Sequence, residues 1–159
     1  MTSHSVITKP ASVPAAVHGA FLAWVAAIVA GVVEAAVYVG SELSTGADAG
    51  DLATGVAMRA AIYALAVWVF VQMRNGRNWA RIALTVVLGI FGTLSLVIEP
   101  IGWLADGNSL GTAITDASAA DLVIAASRIA HVLAVFVGVA LMYRPAANRY
   151  FRAARRRAS

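Results

Sequence analysis

The chain has 159 residues, 60% of them hydrophobic and 13% charged, against about 25% charged in soluble domains, so a water-soluble fold would lack the polar surface to cover itself. Cysteine is absent, which excludes disulfides, thiol catalysis and thiolate metal sites and leaves the redox compartment open. The formal charge of +4 conceals a segregation by loop, and no shift of composition divides the chain into two folding units.

The N-terminal segment, residues 1–14, is polar, has Lys9 as its only charged side chain, and is expected to be mobile. A hydrocarbon core about 30 Å thick needs roughly 20 apolar residues of helix. Residues 19–39, 52–73, 82–104 and 122–143 supply four such stretches. A buried soluble helix is the competing reading for any one of them, but four together leave too little chain to bury them. The first run is longer than the apolar centre of a signal peptide and only Lys9 precedes it, so it is expected to remain as a span.

The connectors set the orientation. The first holds Glu42, Asp48 and Asp51 and the third holds Asp106, Asp116 and Asp121, and neither contains a base. The second holds Arg74, Arg77 and Arg81. The tail, 144–159, holds Arg144, Arg149, Arg152, Arg155, Arg156 and Arg157, and neither of these contains an acid. Because Lys and Arg near span ends stay on the cytoplasmic side, the prediction is an all-α transmembrane four-helix bundle over residues 15–143 in the cell membrane, with both termini cytoplasmic. Trp79 and Tyr143 fall at the inner boundary and Tyr38 and Trp103 at the outer one, where amphipathic rings collect. Asn75-Gly76 reads as a tight turn, with Asn78 placed to cap span three. Pro100 removes the helical donor of the Leu96 carbonyl, which predicts a kink there.

Each span carries an ionisable residue in its outer half: Glu34, Arg59, Glu99 and Arg128, with His131 one turn from Arg128. Counted at 1.5 Å per residue they lie roughly 7 to 12 Å deep, in one layer. Left unpaired, each would cost roughly 2.5–3.5 kcal/mol, so they are expected to face inward and pair. Glu34 with Tyr38 resembles Glu99 with Trp103, and each acid is followed one span later by an arginine. That likeness suggests two related hairpins. It predicts Glu34 with Arg59 and Glu99 with Arg128, or the crosswise alternative. Span one also has Gly19, Ala23, Ala27 and Gly31, the small residue at every fourth position that packs helices in lipid.

The layer has two readings. One is an ion-pair network that fixes which helices are neighbours; the other is a site opening to the outer surface, since intramembrane ionisable residues mark substrate and ion paths. A proton-coupled carrier needs a carboxylate free to exchange its proton, and equal numbers of acids and arginines oppose that. A small multidrug-type exporter resembles this chain in its four short spans and first-span acid, and departs from it in the membrane arginines. His131 fits a hydrogen-bonded partner for a carboxylate or carbonyl better than a haem ligand, because His18 and His4 lie elsewhere along the chain. No metal or cofactor set is present at that depth. In the tail, Arg149, Arg152, Arg155, Arg156 and Arg157 with Tyr150 and Phe151 fit a helix on anionic membrane lipid rather than on nucleic acid.

The inner loop Gly76-Arg77-Asn78-Trp79-Ala80-Arg81 and the ending Pro145-Ala146-Ala147-Asn148 with Tyr150-Phe151 resemble small four-span membrane proteins of high-GC actinobacteria. Eleven arginines against one lysine agree with that origin. The resemblance implies architecture and compartment and brings no activity with it. The expected function is therefore a non-enzymatic accessory or interaction subunit of a cell-envelope complex, with a membrane-protein partner or a second copy of itself. The alternative is a small proton-coupled transporter or lipid-binding carrier using the ionisable layer.

Overall fold

A computed structural model describes residues 13–158, so the N-terminal segment with His4 and Lys9 lies almost wholly outside the described residues. The described chain is all-helical. Helices α1 (Ala15–Ser44), α2 (Ala49–Arg74), α3 (Asn78–Ala105) and α5 (Ala119–Met142) are each long and apolar enough to cross a membrane. The protein is thus a multi-pass membrane protein. A short helix α4 (Leu110–Asp116) lies in the third connector, and the basic tail forms a helix α6 (Pro145–Ala158).

Local chemistry sets the helix ends. The Asp48 carboxylate accepts from the amides of Gly50 and Asp51 and starts α2. Ser118 and Asp121 form a reciprocal capping box at α5, which satisfies two amides the helix cannot pair itself. Part of the acidic-loop charge is therefore helix capping, favourable beside the positive end of a helix. At the turn between α2 and α3, Gly76 has φ +82°, a conformation that only glycine adopts freely. Asn78 is the first residue of α3, not its cap; Arg77 holds the cap position without a side-chain bond.

Helix α3 runs through Pro100 without interruption, and its departure from α geometry lies upstream, in a π-helical stretch over Leu84–Gly92. The π-helical stretch lies about two to four turns before Pro100.

The core occupies one end of the bundle. Val17, Ala20, Trp24 and Ala27 of α1, Ala66, Phe70 and Met73 of α2, Ala80 and Leu84 of α3, Val135 and Met142 of α5, and Ala147 and Phe151 of α6 are all buried. Every one belongs to the half of its span nearer the arginine-rich connector and tail, here termed the basic end. The most extensive helix pair is α1 with α5. Trp24 lies over Gly138, where an added Cβ would stand 3.1 Å from the indole, and stacks on Phe70 at 5.8 Å. The stripe on α1 serves this packing. Gly19 faces Leu141, Ala27 is buried, and Gly31 admits the Tyr63 hydroxyl of α2. In lipid such close approach stabilises through dispersion rather than through release of water.

The tail helix is docked by its apolar face. Phe151 and Ala147 enter the core, Tyr150 donates its hydroxyl proton to the Arg74 carbonyl at 2.8 Å, and Ala154 and Tyr150 cover Gly76. Arg81 donates to Asn148 Oδ1 at 2.7 Å while its guanidinium lies over the Tyr143 and Phe151 rings. The two segments that carried the sequence resemblance are the two sides of this interface.

Gly138→Ala should lower stability in mild detergent by about 1–3 kcal/mol, because the fully packed indole cannot move aside. Gly40→Ala, where a Cβ meets nothing within 4 Å, should be neutral or slightly stabilising. Thermal unfolding of the two variants side by side checks this.

Candidate functional site: a charged cavity at the acidic end

Above Ala27 the four spans separate, and the ionisable layer lies where they do. Pairing of α1 with α5 sets the register. Ser127 is the one buried polar residue among those described, its hydroxyl bonded to the Ile124 carbonyl. One turn along α5, His131 Nδ1 is 2.8 Å from the Ala27 carbonyl of α1. A carbonyl only accepts, so Nδ1 carries the proton and Nε2 is the ring's remaining polar atom.

The same pairing delivers Glu34 to Arg128, Oε1 to Nε at 2.9 Å, a charge-assisted hydrogen bond. Arg128 Nη1 also lies 3.6 Å from Glu99 Oε2 of α3, an ion pair too long to be a hydrogen bond. The environments differ: the Glu34 side chain is 22% exposed and that of Glu99 is 80% exposed.

Neither predicted pairing holds in full. One arginine gathers both carboxylates, and Arg59 has no carboxylate partner among the described residues; its guanidinium sits 5.9 Å from the centre of the Tyr38 ring. The pairing differs because α1 packs far more extensively on α5 than on its sequence neighbour α2. Glu34 therefore meets the arginine of the last span.

Glu34, Arg59, Arg128 and His131, with Tyr38, Tyr63 and Gly31, line a cavity of about 490 Å³. A second, apolar groove of about 570 Å³ runs between α3 and α5, walled by Leu96, Val97, Pro100, Ile129, Val132 and neighbours. Leu96, Ile124 and Arg128 belong to both. The groove and the part played by Tyr63 were not read from the sequence. Gly31 and Tyr63 carried the signal, since each sits at helical spacing from an ionisable residue of its own span.

The arrangement can hold an anionic or zwitterionic group beside an apolar chain. No three His, Asp, Glu or Cys side chains converge as metal ligands would among the described residues. Comparison with protein families, curated proteins and solved structures gave no match.

Double-mutant cycles in detergent should separate the two ion pairs. The coupling of Arg128→Leu with Glu34→Leu should be about 1–3 kcal/mol, and that with Glu99→Leu below about 1 kcal/mol, because the second pair is longer and more solvated. Equal couplings would contradict the geometry.

Proposed function

We infer that the protein is a non-enzymatic lipid-binding protein that holds one anionic amphiphile, its head group against Arg59 and its chain along the groove between α3 and α5. The observation that carries this reading is Arg59. It is a permanent cation lining a cavity within a span, while both carboxylates of the layer are gathered by Arg128. An unpaired arginine at such depth costs roughly 2.5–3.5 kcal/mol, which a bound anion would offset. Both spaces fall in the range of about 300–1,000 Å³ usual for small-molecule sites, and their shared wall lets one molecule occupy both.

The loop charges favour the basic end in the cytoplasm, and on that orientation the cavity belongs to the outer leaflet. Proton-coupled transport is disfavoured by the contact of both Glu34 and Glu99 with Arg128. An interaction role has one observation on its side: Glu99, at the open edge of the bundle, has a mostly uncovered carboxylate that a second chain could cover. The small-residue stripe no longer supports that role, because it is used within the chain.

Native mass spectrometry of the detergent-purified protein with dioctanoyl phosphatidylglycerol and phosphatidylcholine tests the reading. The anionic lipid should be retained preferentially, and Arg59→Gln should bind one fewer per chain, with affinity at that site reduced at least about tenfold and folding intact. Equal retention of the two lipids, or no effect of Arg59→Gln, would reject it. The same spectra count subunits and so address the interaction role.

A further inference from the structure

The basic end holds a second, chemically different cavity of about 320 Å³. It is lined by Asn78 and Arg81 of α3 and by Asn148, Phe151, Arg152 and Arg155 of α6. Three guanidinium groups meet there with two amides, and a single apolar residue is in the wall. No Asp or Glu side chain of the described residues lies at this end of the bundle. Residues 1–33, 52–98 and 122–159 contain no Asp or Glu, and the remaining acids belong to the connectors at the opposite end or to the ionisable layer.

Arg81 and Asn148 are held in place before any ligand arrives, while Arg152 and Arg155 are exposed. Arg81 is clamped between the Tyr143 ring, 4.1 Å from its Cζ, and the Phe151 ring at 5.1 Å, with Nη1 held by Asn148 Oδ1. Asn148 is itself oriented, since its Nδ2 donates to the Tyr143 carbonyl, and Arg152 Nε donates to the Asn148 carbonyl at 3.3 Å. Within this clamp Arg81 Nε is shielded and has no hydrogen-bond partner. A buried donor left unsatisfied beside a cationic cavity is unusual, because buried polar groups nearly always find a partner. The shielded Nε is out of a ligand's reach, but three guanidinium groups lining one cavity match the tetrahedral oxygens of a phosphate, which accept such groups in pairs.

The geometry points to a binding site for one phosphate group, carried by an anionic lipid head group or free in solution, in the cavity between the start of α3 and helix α6. It differs from general attraction of a basic tail to an anionic surface, because it uses Arg81, Arg152 and Arg155 and not the equally charged Arg149 and Arg157. It is also independent of the acidic-end cavity, from which it is separated by the packed core.

The test uses the full chain in neutral detergent, titrated by calorimetry with inorganic phosphate and, separately, with dioctanoyl phosphatidic acid and dioctanoyl phosphatidylcholine. With the lipids titrated into the Arg59→Gln chain, so that the acidic-end cavity does not contribute, one saturable site per chain is expected for inorganic phosphate, for phosphatidic acid, or for both. Saturation by phosphate assigns a soluble anion; saturation by phosphatidic acid alone assigns a lipid head group. Arg152→Gln with Arg155→Gln should weaken binding at least about tenfold, and Arg149→Gln with Arg157→Gln, an equal loss of charge, less than about twofold. Arg81→Lys, which keeps the charge and loses the fork, should also weaken it, in a chain that still melts well above the temperature of the titration. Equal weakening by the two double variants, or no saturation with any of the three probes, would overturn the proposal. Arg59→Gln should leave the site unaffected, so failure here and failure of the lipid reading at the acidic end can be told apart.

Discussion

The close packing of α1 on α5 determines the rest of the molecule. Gly138 lets the Trp24 indole lie flat against the α5 backbone, and His131 ties α5 to the Ala27 carbonyl two turns away. With the register fixed by these contacts, Glu34 meets Arg128. Arg128 then draws Glu99 as well, and Arg59 is left without a carboxylate. The site is thus a consequence of helix pairing. A bundle in which α1 paired as closely with α2 would join Glu34 to Arg59 and neutralise the cavity.

The two ends of the bundle solve different problems. At the basic end, aromatic and aliphatic side chains from five helices fill the interior, and α6 closes it like a lid by burying Phe151 and satisfying the last carbonyl of α2. At the acidic end the helices have charged and hydroxyl groups where a core would need methyls, so they cannot close on one another without burying unpaired charge. The π-helical stretch of α3 lies at the boundary between these regimes. Gly89, inside it, packs against Val139 of α5, while the residues beyond it diverge into the groove wall. Such widened turns are frequent at functional sites.

Much of this was legible in the sequence. Four apolar stretches of spanning length give the four long helices, because length and apolarity are properties of each segment alone. The depth of Glu34, Arg59, Glu99 and Arg128 was readable for the same reason. Their pairing was not, since it depends on which helices become neighbours, and the repeat of acid, aromatic and arginine does not say which those are. The docking of α6 was half-visible. Phe151 and Tyr150 among arginines indicated an amphipathic helix, and the structure turns its apolar face to the protein core rather than to lipid. Asn78 misled because its type suits a cap, while Gly76 two residues earlier had already set the turn. Helix α4 went unread in a loop whose composition resembles a linker.

The bundle is packed at one end and opens at the other onto a cavity lined by Arg59, which has no carboxylate partner among the described residues. The natural absence of cysteine allows a direct measurement, in which single cysteines are introduced at Ala35, which lines the cavity, and at Ala27, which is 3% exposed in the core. Reaction with small anionic and cationic methanethiosulfonates in lipid nanodiscs then reports both access and local charge. Ala35→Cys should react, and faster with the anionic reagent, a preference lost on Arg59→Gln, while Ala27→Cys stays unreactive. An unreactive Ala35→Cys, or one that favours the cationic reagent, would contradict the account.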